Sequence, residues 1–125
     1  MDNTRHYTRD GTKNESDPTA YLQAVAELRR VLRPGGECFI SVPFGRRAMH
    51  GWLQVFDRGM IETLLNTFRP NAYEAVYFRY DNAHGWQRCP GEAAQDAIYL
   101  DWQRAVRKPG SPVAAEAVTC LRLQK

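Results

Sequence analysis

The chain has 125 residues, 43% of them apolar and 25% charged, with a formal net charge of +3. That length predicts one domain with a modest core, and the aromatic and aliphatic residues spread along it argue against a disordered tail. The small charge, with no long basic stripe, argues against a nucleic-acid partner.

Residues 1–16 are polar, carry an Asp10-Gly11 turn signal and show no periodicity. They are expected to be a loop or frayed start, leaving 17–125 as the domain. Asp17-Pro18 reads as a helix start, with Asp as a cap and Pro at the first helical position. Leu22, Val25, Leu28 and Leu32 recur at spacings of three and four, one face of a helix. Arg29, Arg30 and Arg33 on that helix read as a solvated face. Pro34-Gly35-Gly36 ends it, because Pro disfavours helical geometry at the preceding residue and Gly tolerates the reversal that follows.

Cys38 to Val42 reads as a short strand covered on both faces, since its apolar residues do not alternate cleanly with polar ones. Phe44 to Trp52 has the composition of a loop. Asp57 caps a second helix whose buried stripe is Met60, Ile61, Leu64, Leu65 and Phe68, and Arg69-Pro70-Asn71 ends it. Tyr73 to Tyr80 reads as a strand. Asn82 to Gly91 reads as a loop around Trp86, and Glu92 to Trp102 as a weak helix with Ala93, Ala97 and Leu100 on one side. Lys108 to Pro112 is a turn, and Ala114 to Leu123 a final strand. This order gives an α/β layer with three strands and two open edges of apolar strand.

Cys38, Cys89 and Cys120 are odd in number and form no CxxC, so neither a disulfide framework nor a zinc site is indicated, and a metal is not expected. A reducing compartment fits, and the cytoplasm is the expected location. No apolar run reaches the length of a membrane span, and the polar N-terminus lacks the apolar centre of a secretion signal.

The helix Tyr21 to Leu32, the turn Leu32-Arg33-Pro34-Gly35-Gly36 and the strand Glu37 to Pro43 resemble the segment leading into the fifth strand of class I S-adenosylmethionine (SAM)-dependent methyltransferases. The resemblance covers residues 17–125, and Val42-Pro43-Phe44-Gly45-Arg46 is similar to methyltransferases found with glycan and polysaccharide biosynthesis. It implies the C-terminal part of a Rossmann-like sheet, strands five to seven with flanking helices. The seventh strand, Ala114 to Leu123, would lie antiparallel between strand five and strand six, Tyr73 to Tyr80. SAM is the implied cofactor, yet the chain carries no glycine-rich GxG loop to hold it. No cofactor-binding residue is therefore assigned, and the sequence is expected to start in the loop after the family's fourth strand. Weak SAM binding by this chain is the consequence. A small or glycan-like acceptor is the implied partner, and an open sheet edge is the alternative basis for a role, pairing with a second copy or another protein.

Ligands of open α/β sheets bind beyond the carboxyl ends of the strands. After Cys38 to Val42 come Phe44, Arg46, Arg47 and His50. An arginine there suits an acidic acceptor group by forked hydrogen bonds, and His50 suits a general base. After Tyr73 to Tyr80 come Tyr80, Asp81, His84 and Trp86, a carboxylate, an imidazole and aromatics suited to a sugar face. Phe44, Arg46, Arg47, Tyr80 and Trp86 are thus the acceptor-binding candidates, and His50 and His84 the catalytic ones. The plain alternative is a solvated loop at each place, with Trp86 packing its loop onto the core. His6, Tyr7 and Arg9 are further candidates or a solvated terminus, and Ser41 reads as structural.

Overall fold

The computed structural model describes residues 17–50, 53–100 and 114–125. The candidates His6, Tyr7 and Arg9, and the turn at Lys108 to Pro112, lie outside the described residues. Helix α1 spans Ala20–Val31, strand β1 Glu37–Pro43, β2 Ala48–Met49, β3 Gln54–Val55 and helix α2 Arg58–Phe68. Strand β4 spans Ala72–Asp81, β5 Gly85–Cys89, a 3-10 turn Gly91–Ala94, β6 Tyr99–Leu100, β7 Ala114–Ala115 and β8 Ala117–Gln124. No helix among the described residues is long and apolar enough to cross a membrane.

The start of α1 differs from the expectation. Asp17 does not cap the helix directly. Its carboxylate accepts from the Thr19 amide at 2.8 Å and the Thr19 hydroxyl at 2.7 Å, and the helix begins beyond that turn. Arg29 leaves the expected solvated face and sits over the Phe68 ring, 5.9 Å from its centroid. Pro34-Gly35-Gly36 behaves as read. Gly35 has φ +74, and the Gly36 amide donates to Arg33 O at 2.9 Å. Asp57 caps α2, accepting from the Met60 amide at 2.8 Å. Arg69 ends α2 in the left-handed region, at φ 51 and ψ 61.

The main sheet has the order β1-β8-β4-β5, with every neighbouring pair antiparallel. The final strand lies between β1 and β4, as expected of it, and β1 and β4 therefore run parallel to each other. The expected three strands are four. Gly85–Cys89, read as part of a loop, is a strand paired with β4 from Tyr77↔Cys89 to Asp81↔Gly85. Its sequence, Gly-Trp-Gln-Arg-Cys, hides a strand because it is an edge with little burial to enforce an apolar pattern. The expected helix at Glu92 is only the short 3-10 turn. Beyond it, Tyr99–Leu100 pairs with Ala114–Ala115. Phe44 to Trp52 is likewise not a plain loop, since Ala48–Met49 pairs with Gln54–Val55.

The two faces of the sheet differ. On β8, Ala117, Thr119, Leu121 and Leu123 are buried, while Val118, Cys120, Arg122 and Gln124 are not. The buried set joins Val25, Met60, Ile61, Leu64 and Phe68 of the two helices in one core. The other face carries Phe39, Ser41, Val76, Phe78 and Tyr80 beside Val118 and Cys120, by the register of the ladders. Nothing among the described residues covers it, and Phe39 is 72% exposed. Strand β1 is thus covered on one face, not two, and Ser41 is exposed rather than interior. Its unbroken apolar content comes from Phe39 standing on the open face, which sequence periodicity cannot distinguish from a second buried face.

Candidate functional site

Because β1 and β4 run parallel with β8 between them, their carboxyl ends meet at one end of the sheet. Two backbone bonds organise the loops there. The amide of Arg46 donates to Ala97 O at 2.8 Å, and the amide of Tyr80 donates to Glu116 O at 2.9 Å. Ile98 and Glu116 bridge them. The Glu116 amide donates to Ile98 O at 3.0 Å, and the Glu116 carboxylate accepts from the Ile98 amide at 3.1 Å.

An ion-pair cluster lies behind this loop knot. Arg79 Nη1 donates to Asp96 Oδ1 and to Ala93 O, each at 2.6 Å, and Arg79 Nη2 is 4.0 Å from Glu116 Oε2. Hydrogen bonding to Arg79 holds the Asp96 carboxyl below its usual value, and the Arg46 charge adds a smaller effect in the same direction. The Arg79 guanidinium is raised in turn, first by its bond to Asp96. Arg79, Asp96 and Glu116 were not among the sequence candidates. The available signal was Arg79 itself, a charge set among Val76, Tyr77, Phe78 and Tyr80 that needs a partner when half-buried.

The sequence candidates fare unequally. Phe44 is 2% exposed and meets Tyr77 edge-to-face at 4.8 Å between centroids. It is a core residue and does not face an acceptor. It is drawn inward because Phe44 and Phe56 form a parallel bridge that folds the chain over the end of the sheet. Arg46 and Arg47 are both exposed but face different surroundings. The Arg46 charge helps to lower Asp96, and the Arg47 charge acts on Tyr21, whose hydroxyl is nonetheless raised chiefly by burial. His50 rests against the Tyr99 ring at 4.9 Å, and its buried Nε2 has no hydrogen-bond partner among the described residues.

The β4–β5 hairpin brings the other group together. Tyr80 and Trp86 are paired across the ladder and meet edge-to-face at 5.7 Å. Trp86 is 49% exposed on the open face, so it does not pack its segment onto the core. His84 Nδ1 lies 3.2 Å from Asp81 Oδ2, and both residues are exposed. The Asp81 carboxyl is lowered first by the Ala83 amide and then by His84.

The two groups are not one pocket. Arg79 and Asp96 meet on the helix side of the sheet, whereas Tyr80 and Trp86 stand on the open face. No side-chain hydrogen bond or ion pair joins Arg46, Arg47 or His50 to Tyr80, Asp81, His84 or Trp86 among the described residues. Among these residues no three His, Cys, Asp or Glu side chains are grouped to hold a metal ion. Comparison with family models, with characterised proteins and with solved structures found no match to this chain.

Proposed function

We propose that this chain is the acceptor-side part of a SAM-dependent methyltransferase domain of the Rossmann-like class, acting on a small or glycan-like acceptor. One observation carries the reading. The last strand, β8, lies antiparallel between two parallel strands, β1 and β4, and the Leu32 to Gly36 turn feeds β1. That order of strands and that turn are together what the resemblance implies for strands five to seven.

In this reading SAM supplies an already activated methyl group, and the protein aligns the acceptor and takes its proton. The exposed Trp86, braced by Tyr80, offers an apolar ring face for stacking on a sugar. Arg46, exposed just beyond β1, positions a polar acceptor group there. Neither contact supplies a site for SAM, which needs a glycine-rich loop that this sequence lacks.

Two measurements test the reading. Calorimetric titration of this chain with SAM is expected to show no micromolar binding. A protein that joins this chain to a glycine-rich cofactor-binding half is expected to bind SAM and to transfer labelled methyl to a sugar-containing acceptor. Micromolar SAM binding by this chain alone, or failure of the joined protein to bind SAM, overturns it.

A second reading is favoured by the outer edge of β1, which pairs with no strand among the described residues. The chain then acts as a non-catalytic module whose open sheet edge recruits another strand.

A further inference from the structure

The outer edge of β1 has a definite composition. The Phe44 amide donates to Ala117 O and the Lys125 amide to Gly36 O, each at 2.9 Å. In an antiparallel ladder, the backbone groups of successive residues point to alternate sides. Even-numbered residues of β1 therefore bond β8, and Glu37, Phe39, Ser41 and Pro43 point away from it. Pro43 has no amide hydrogen, and its carbonyl already accepts from the Phe56 amide at 2.9 Å. Three amides and three carbonyls remain, on Glu37, Phe39 and Ser41, without backbone partners among the described residues.

We infer that β1 pairs antiparallel with β1 of a second copy about a two-fold axis at Phe39, joining two four-stranded sheets into one of eight. This rests on the edge-pairing reading above and not on methyl transfer. The register follows from the free groups. Placing Phe39 opposite Phe39 of the second copy sets Glu37 opposite Ser41 and Ser41 opposite Glu37. All six free groups of each edge then find partners. Sliding the copy toward Pro43 would run it into Phe56, and sliding it the other way would leave Ser41 unpaired.

Side chains agree with that register. The two Phe39 rings meet across the axis on the open face, where Phe39 is now 72% exposed. Each Glu37 faces a serine, not a like charge, and stays bound to its own Arg122, whose Nε donates at 2.9 Å. The strand has no lysine, the usual device against such pairing, and its one proline stands at the end already occupied by Phe56. The contact is isologous, so it closes at two copies.

Sedimentation equilibrium of the full chain is expected to give twice the chain mass, and a monomer at about 100 μM overturns the inference. Ser41→Pro removes only an outward amide, a position where an edge strand accepts proline. It is expected to weaken association about tenfold or more while circular dichroism is unchanged. Unchanged association in a folded Ser41→Pro chain counts against the register. Cross-linking gives a second reading that does not need proline. Hydrogen-bonded antiparallel partners stand about 5.5 Å apart at Cα, within reach of a disulfide. In a background with both Cys38→Ala and Cys120→Ala, the second because Cys120 stands directly opposite position 41 on the open face, Phe39→Cys is expected to form a symmetric disulfide on mild oxidation, and Ser41→Cys, which faces position 37 of the second copy, is not. The reverse pattern, or no cross-link at either position, overturns the pairing. None of these outcomes touches the SAM titration, so the two readings fail separately.

Discussion

The α-carbon of Gly45 lies against the carbonyl of Ala97, so closely that a Cβ on Gly45 would stand 2.1 Å from that oxygen. Gly45 also has φ +149, a conformation that other residues rarely adopt. The next amide, Arg46 N, donates to the same carbonyl. This contact seats the end of β1 against the segment after the 3-10 turn.

Gly45→Ala is therefore expected to destabilise the chain by about 3 kcal/mol or more, since the obstacle is backbone and cannot rotate away. Urea unfolding followed by circular dichroism measures it. A loss below about 1 kcal/mol would mean that the Gly45 to Ala97 approach is looser than described.

Leu64 is 1% exposed and Phe68 fully buried between α2 and the sheet. Leu64→Ala is expected to cost about 2–5 kcal/mol through lost burial and the cavity left behind. Val31, on the outer side of α1, is 61% exposed. Val31→Ser is expected to stay within about 0.5 kcal/mol in the same unfolding assay. Equal losses at the two positions would contradict the placing of the core on the helix side.

The cap at Asp57 is a single charge-assisted bond to the Met60 amide. Asp57→Ala is expected to cost about 1 kcal/mol, and Asp57→Ser to recover most of it, because serine also caps. Thermal unfolding of the three proteins side by side tests the order.

The Arg79–Asp96 pair makes stability depend on acid. Asp96 is held below its ordinary value when folded, so its contribution is present above the unfolded value and fades as pH falls through the folded one. Asp96→Asn is expected to be less stable than the parent at pH 7, with the gap closing below about pH 4. Melting temperatures of both chains between these pH values measure the closure. A gap that persists unchanged in acid would show that Asp96 acts by hydrogen bonding alone.

Local chemistry was legible in the sequence where the cause was local. The Asp57 cap, the Leu32 to Gly36 reversal and the stripe from Met60 to Phe68 each depend on residues a few positions apart. The place of Ala114 to Leu123 in the sheet came from family resemblance rather than from pattern. Missed were the strand Gly85–Cys89, the bare face carrying Phe39, the core role of Phe44 and the partnership of Arg79 with Asp96. Each of these depends on what another segment does.

By itself, the sequence determined two helices, three of their four ends and three of the four strands of the main sheet, because caps, turns and helical spacing act over one or two turns of chain. Tertiary structure alone decided which faces are covered and which charges meet. A phenylalanine in a strand reads the same whether a helix covers it or water does, and Phe44 and Phe39 went opposite ways. The Gly45 to Ala97 contact shows why. It joins residues 45 and 97 directly, and no spacing within either segment announces the other.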